Sequence, residues 1–205
     1  MFCKTNKLYF TVNNINILDN ISISIANSKS TAIFGKNGSG KSTLLRCINC
    51  LLTPTSGSLE HKYNYPFPML FQNPVLFQNT VQYNFEILCR IKKIQPSMKW
   101  YNSFQLNKIS SKKIIEVSEG EKQKIYLSRI LSTDPKVIIM DEPSQNLDQA
   151  SDRKLLDLIL EEKNKNKTII FSSHDISFIK NVADNLILLE YGKIRFIGNP
   201  SKFFL

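Results

Sequence analysis

A chain of 205 residues with 42% hydrophobic side chains can bury one sizeable core, which predicts one domain with at most a subdomain. Lys4, Asn6 and Lys7 interrupt Met1–Val12 before any apolar run develops, and no stretch reaches bilayer-spanning length, so a soluble, cytoplasmic protein without a secretory leader is expected. The net charge of +10 admits nucleic acid, an anionic membrane or acidic ligands, but the lysines are scattered without interleaved aromatics, so no nucleic acid is expected.

In chain order, ISISI (Ile21–Ile25) alternates with period two and predicts a half-buried strand. STAIF (Ser30–Phe34) predicts a more buried strand that runs straight into FGKNGSGKST, Phe34–Thr43. This loop matches G-x-x-x-x-G-K-[ST] at Gly35, Gly40, Lys41 and Ser42. Glycines at 35, 38 and 40 let backbone N–H groups turn inward as an anion nest at a helix N-terminus. Lys41 then reaches the β- and γ-phosphates, and the Ser42 hydroxyl ligates magnesium. A glycine turn that only caps a helix is the plainer alternative; a strand before and a helix after argue for the phosphate loop. That helix is read from Leu44, Leu45, Ile48, Leu51 and Leu52, ending at TPTSG. Cys47 and Cys50 lie within it, and a lone Cys-x-x-Cys in an apolar helix predicts small buried hydrophobes rather than zinc or redox chemistry.

Further along, TVQYNFEILCRI predicts a helix capped at Asn79/Thr80, and SMKWYNSFQL a second helix capped by Ser97. Core packing explains most of the aromatic content at Trp100, Tyr101 and Phe104; a partner-binding groove is the alternative. Ser118 and Glu121 form an S-x-x-E capping box, so a helix starts there, with Ile125, Leu127 and Ile130 or Leu131 buried and an N-terminus suited to phosphate. KVIIMDEPS is a buried strand, Val137–Met140, that ejects Asp141 and Glu142 at the carboxyl edge of a parallel sheet. Asp141 is placed to hold magnesium, directly or through water, and Glu142 to orient and deprotonate an attacking water. Leu155, Leu156, Leu158 and Ile159 mark a helix face, TIIFSS a buried strand leading to His174, and NLILLEYGKIRFIG a hairpin turning at Gly192.

VSEGEKQKIYLSRIL (Val117–Leu131) resembles the signature segment of the ATP-binding-cassette (ABC) ATPases, usually Leu-Ser-Gly-Gly-Gln followed by a helix. LFQNP with Gln72, SQNLD with Asp148 and SSHD with His174 are similar to the other family motifs, all in the family's order, and the resemblance covers essentially the whole chain. It implies an α/β P-loop NTPase (RecA-like) fold: a mixed-sheet core, N-terminal antiparallel β strands and a small helical subdomain. Residues 1–205 form one domain, with 1–72 and 118–205 as nucleotide-binding core and 73–117 as helical subdomain. ATP and Mg2+ are implied ligands. Gly35, Lys36, Asn37, Gly38, Ser39, Gly40, Lys41, Ser42 and Thr43 surround the phosphates; Ser42, Gln72 and Asp141 attend the metal; Glu142, His174 and Lys41 are catalytic. Ser118, Gly120 and Asp148 meet the nucleotide of the other protomer, so a homodimer closes head to tail on ATP.

The same resemblance implies an ATPase subunit at the cytoplasmic face of the membrane, docked to a permease and served by a substrate-binding protein. Import of an oxyanion such as phosphate or tungstate is the expected cargo. A soluble ATPase of iron–sulfur assembly, or a poorly hydrolysing regulatory subunit, are the alternatives. The chain departs from the family at Glu119 and Glu121, where an extra carboxylate weakens nucleotide clamping unless it points into solvent. LEHKYNYPFPM replaces a longer hairpin, and no appended regulatory domain is expected after Leu205. The residue stacking on adenine falls at Val12 by ungapped alignment, or at Phe10 or Tyr9 if the first hairpin is shifted. Phe10 is preferred, because alternation puts Leu8, Phe10 and Val12 on one face.

Overall fold

The computed structural model describes residues 1–64, 66–73 and 75–204; Tyr65 of LEHKYNYPFPM, Pro74 of LFQNP and Leu205 lie outside the described residues. An antiparallel sheet opens the chain. Strand β1 (Cys3–Val12) pairs with β2 (Ile15–Ile21) and β3 (Ser24–Ile25) along one side and with β5 (Ser56–His61) on the other. The central sheet has the order β10-β9-β4-β8-β7-β6. In it β9 (Asn185–Glu190), β4 (Ser30–Phe34), β8 (Thr168–Ser172), β7 (Val137–Asp141) and β6 (Met69–Leu70) are parallel, and β10 (Lys193–Gly198) is an antiparallel edge. The helices are α1 (Lys41–Ile48), α2 (Val81–Lys92), α3 (Lys99–Ser103), α4 (Glu119–Leu131), α5 (Gln149–Asn164), α6 (Ile176–Val182) and α7 (Pro200–Phe203).

Strands covered on both faces read as continuous apolar runs, and the period of two sorts their side chains into two cores. Ile33, Val137, Ile139, Ile170, Ile187 and Leu189 face α1 and the antiparallel sheet. Ala32, Ile138, Met140, Ile169, Phe171 and Leu186 face the other way, toward α4, α5 and α6. Phe85, Trp100, Tyr101 and Leu106, from the 73–117 segment, join this second cluster.

Three local expectations are corrected. The ISISI run is not one strand: Ile21 closes β2 and only Ser24–Ile25 re-enter pairing. Thr5 is the cause, since its Oγ1 donates to Ile21 O (2.9 Å) and accepts from Ile23 N (3.0 Å), replacing ladder bonds with side-chain bonds. The alternation survives, with Ile21, Ile23 and Ile25 all buried. Helix α1 stops at Ile48, short of Leu51 and Leu52. Its C-cap Asn49 is fully buried, accepting from Phe67 N (2.7 Å) and donating to Phe67 O (2.9 Å), and Cys50 turns left-handed after it. Ser97 caps nothing; its N–H donates to Ser132 O (2.8 Å), and α3 begins at Lys99 without a side-chain cap. The Thr80 cap of α2, the Ser118–Glu121 capping box and the Tyr191–Gly192 turn all form as read.

Burial pushes the Cys3 thiol up to about 12 and the Cys47 thiol to about 11, the behaviour of inert core cysteines. Among the described residues no cluster of His, Cys, Asp and Glu could hold a metal by itself.

Candidate functional site

Strand β4 delivers the loop at 35–40 to the carboxyl edge of the sheet, and α1 carries the chain away from it. Two glycines are obligatory by contact. A Cβ on Gly35 would meet Leu189 O at 2.2 Å, and one on Gly40, the left-handed N-cap of α1, would meet Ile17 O at 2.8 Å. The loop is further fixed by the β9–β10 turn: Gly192 N donates to Ser39 O (3.1 Å), while Gly192 O accepts from Asp19 N on β2 (2.8 Å).

A cavity of about 480 Å³ opens over this loop, lined by Asn37, Gly38, Gly40, Lys41, Ser42 and Thr43 with Gln72, Glu142 and Ile17. Lys41 Nζ donates to Gly35 O (2.8 Å) and Lys36 O (3.3 Å) and lies 3.6 Å from Glu142 Oε1. Glu142 Oε2 is 2.9 Å from Nδ1 of His174, whose side chain is 70% exposed. Asp141 is buried; its Oδ1 accepts from Ser172 and its Oδ2 has no protein partner. Of Lys41, Glu142 and His174, predicted as the catalytic set, Lys41 and Glu142 line the cavity and His174 reaches Glu142 from outside it. A second opening, about 220 Å³, holds Lys36 and Ser39 with Asn37, Gly38, Glu190 and Tyr191.

The signature residues stand elsewhere. Ser118 N-caps α4 and exchanges bonds with Glu121, whose carboxyl is held below its usual range chiefly by the Ser118 N–H. Glu119 is 68% exposed and pairs with Lys122 at 2.6 Å, so its carboxylate takes the solvent-facing course. A Cβ on Gly120 would meet Asn146 O at 2.9 Å, closer than Cβ packing allows. Asp148 N-caps α5 and lines a separate cavity of about 460 Å³ with Lys124. The Ser151 N–H and the Lys124 ammonium, 3.0 Å away, depress its pKa strongly. Buried Gln123 ties α4 to the acidic turn, donating to Pro143 O (3.1 Å). The glycine-loop cavity and the capped N-terminus of α4 are thus two distinct surfaces of the chain.

Phe10 is not among the residues lining the cavity. It pairs with Leu18 across the hairpin and packs, half-buried, against the core beneath the antiparallel sheet. The register slips between Phe10 and Thr11 because β2 carries one extra residue, Ile17, between the partners Leu18 and Asn16, and Val12 pairs with Ile15 at the exposed end of the hairpin. Ile17 lines the cavity, and Val12 and Ile15, both exposed, continue the hairpin beyond it as aliphatic surface. Ile17 and Ser172 were missed in the sequence. Neither carries a local signal: Ile17 is placed by the bulge opposite β1, and Ser172 by the register of β8 against β7.

A glycine loop between a parallel strand and a helix, facing a buried aspartate and glutamate two strands away, defines a P-loop nucleotide hydrolase. Residues 18–145, more than half the chain, match the family described as ABC transporter, and the chain belongs to that family as an ABC ATPase domain. It is 30% identical over 208 residues to the energy-coupling factor transporter ATP-binding protein EcfA2 of Methanospirillum hungatei, covering 91% of this chain and 52% of the relative. The chain thus spans about half the length of that relative. It is 31% identical to the probable amino-acid import ATP-binding protein YxeO of Bacillus subtilis, covering 92% of this chain and 85% of the relative. Among solved structures it resembles cbiO1 of Clostridium perfringens, described as part of the ABC transporter complex cbiONQ, with TM-score 0.77, 27% identity, and 99% and 90% of the two chains covered. The fold also matches a dimeric ATP-binding cassette in a post-hydrolysis state with ADP and Pi, TM-score 0.85 at 23% identity over 97% and 98% of the chains. No helix among the described residues is long and apolar enough to cross a membrane.

Proposed function

We propose that this chain is the ATP-hydrolysing subunit of an ABC importer, two copies of which close head to tail on two ATP molecules. The observation that carries this reading is Glu142, held between Lys41 and His174 at the wall of the phosphate cavity. The triphosphate would lie in the loop N–H nest, where Lys41 exchanges the Gly35 and Lys36 carbonyls for β- and γ-oxygens. That exchange also draws the lysine off Glu142, freeing the carboxylate to take a proton from water as the water oxygen attacks Pγ and the bond to the β-phosphate oxygen breaks. His174 holds the far oxygen of Glu142 and bridges toward the γ-phosphate. A divalent cation fits the donor set of Ser42, Gln72 and the unpartnered Asp141 Oδ2, and would supply charge neutralisation across the phosphates. The signature face, Ser118 and Gly120 with Asp148, would cap the partner's γ-phosphate. The nucleobase is assigned to the Val12–Ile15–Ile17 surface rather than to Phe10.

An apolar groove of about 410 Å³, with Phe71, Val75, Phe77, Leu88, Tyr126 and Arg129 in its walls, borders the Gln72 segment. It supports docking of a helix from a membrane permease and a peripheral place on the membrane. The relatives favour transport over iron–sulfur assembly. Those similar to this chain are named for energy-coupling factor, amino-acid and hemin transport, which lends no support to phosphate or tungstate. The test is Glu142→Gln: hydrolysis should fall about 10²-fold or more while Mg-ATP shifts the protein to a stable dimer in gel filtration. A variant that hydrolyses as the parent does, as a monomer, overturns the reading.

A further inference from the structure

We propose that Ser172 is a positioning residue for both carboxylates of the hydrolytic centre; the inference rests on the ATPase reading above. Ser172 is the last residue of β8, the strand between the phosphate-loop strand β4 and the acidic strand β7. Its register partners are Ile33 on β4 and Asp141 on β7, so it sits where the two halves of the site join. It is fully buried after the apolar residues Ile169, Ile170 and Phe171. A hydroxyl there carries a desolvation cost unless its bonds are made. Both are made: Ser172 Oγ donates to Asp141 Oδ1 (2.6 Å) and accepts from Glu142 N (2.9 Å).

Each bond fixes something the chemistry uses. Holding Asp141 by Oδ1 leaves Oδ2 as its one unpartnered oxygen, the atom a cation or its bound water requires. Glu142 has φ of +48°, a left-handed conformation that side chains of its size seldom adopt. That turn brings its carboxylate to Lys41 and His174, and the bond from its N–H to Ser172 holds the turn in place. Ser172 touches neither nucleotide nor water in this scheme; it acts through the two acids.

The test compares the parent with Ser172→Ala, Ser172→Cys and Ser172→Thr. The cysteine fills the space of serine with a weak hydrogen-bonding group, and the threonine keeps the hydroxyl. Three quantities are read: kcat and KM for Mg-ATP, Mn2+ affinity in the presence of ADP by electron paramagnetic resonance, and metal-free ADP affinity. Ser172→Ala and Ser172→Cys should lower kcat and weaken Mn2+ binding each by about 10–100-fold, the usual effect of losing a partner to a metal-holding carboxylate. KM and metal-free ADP affinity should stay within about threefold, and Ser172→Thr should recover most of kcat, as positioning but not bulk packing requires. Parent-like kcat and Mn2+ affinity in the cysteine variant overturn the proposal, as does a threonine variant impaired like the alanine one. Should the alanine variant fail to bind metal-free ADP, the cysteine and threonine pair decides. A parent protein that neither binds nor hydrolyses Mg-ATP overturns the functional reading itself, a separate result.

Discussion

Removing the Glu162 carboxylate is expected to destabilise the fold by an amount that fades in acid. Glu162, near the end of α5, is 2% exposed and accepts from Lys99 (3.0 Å), Lys165 (3.0 Å) and Lys167 (2.5 Å). Lys99 lies on α3 and also reaches Glu161 (2.5 Å), so the carboxylate ties the 73–117 segment to the core. Burial alone pushes its carboxyl up; the hydrogen bonds from Lys167, Lys165 and Lys99 outweigh burial and hold it at about 2. Against an ordinary value of 4.5, that drop corresponds to about 3 kcal/mol. Breaking a buried ion pair costs about 3–5 kcal/mol, and the lower end applies here because Lys99 and Lys167 keep Glu161 and Asp134. For a domain of this size, Glu162→Gln should lower Tm by about 6–12 °C at pH 7. Because the folded pKa is depressed, the contribution is complete above about pH 4.5 and is lost as pH falls toward 2. Thermal unfolding followed by fluorescence of Trp100, the single tryptophan and next to Lys99, reads both effects. A gap under 2 °C at pH 7, or one that does not narrow between pH 5 and 3, refutes the reasoning.

Two further outcomes are expected at the nucleotide. Val12→Tyr adds an aromatic ring to the aliphatic face and should tighten Mg-ATP and Mg-GTP alike by about tenfold in fluorescent-nucleotide displacement, from stacking worth about 1–3 kcal/mol per base. Phe10→Leu should change either affinity less than twofold; if Phe10→Leu weakens binding and Val12→Tyr does nothing, the base lies against Phe10 instead. Glu119→Gly should tighten ATP-dependent dimerisation of the Glu142→Gln protein, but by less than about threefold, because Lys122 already pairs with the exposed carboxylate. A tightening beyond tenfold in analytical ultracentrifugation would place the carboxylate against the partner's phosphate instead.

What could be read in the sequence was encoded locally. The phosphate loop, the Asp141–Glu142 strand end, the Thr80 and Ser118 caps and the Tyr191–Gly192 turn each depend on residues within a few positions of one another. They formed as read. The misses all came from contacts between distant segments. Thr5 splits a strand 16 positions away, and the Phe67 backbone captures Asn49 and ends α1. The slip in β2 opposite Phe10 leaves Ile17 as an extra residue at the cavity, and register of that kind is set by a partner strand rather than by alternation. Lys41, Ser42, Gln72 and Glu142 converge on one cavity, while Ser118, Gly120 and Asp148 do not join them within one chain. Ser172 was invisible because its role arises only from the alignment of β8 beside β7.

The Tyr191–Gly192 turn has a practical corollary for anyone altering this protein. With its tyrosine 85% exposed, it looks like a convenient site for an epitope tag or a fluorophore graft. Yet its glycine is stitched to Ser39 on one side and to Asp19 on the other, so lengthening it would separate the glycine loop at 35–40 from the strand that carries Ile17. A reporter spliced there would perturb the quantity it was meant to report.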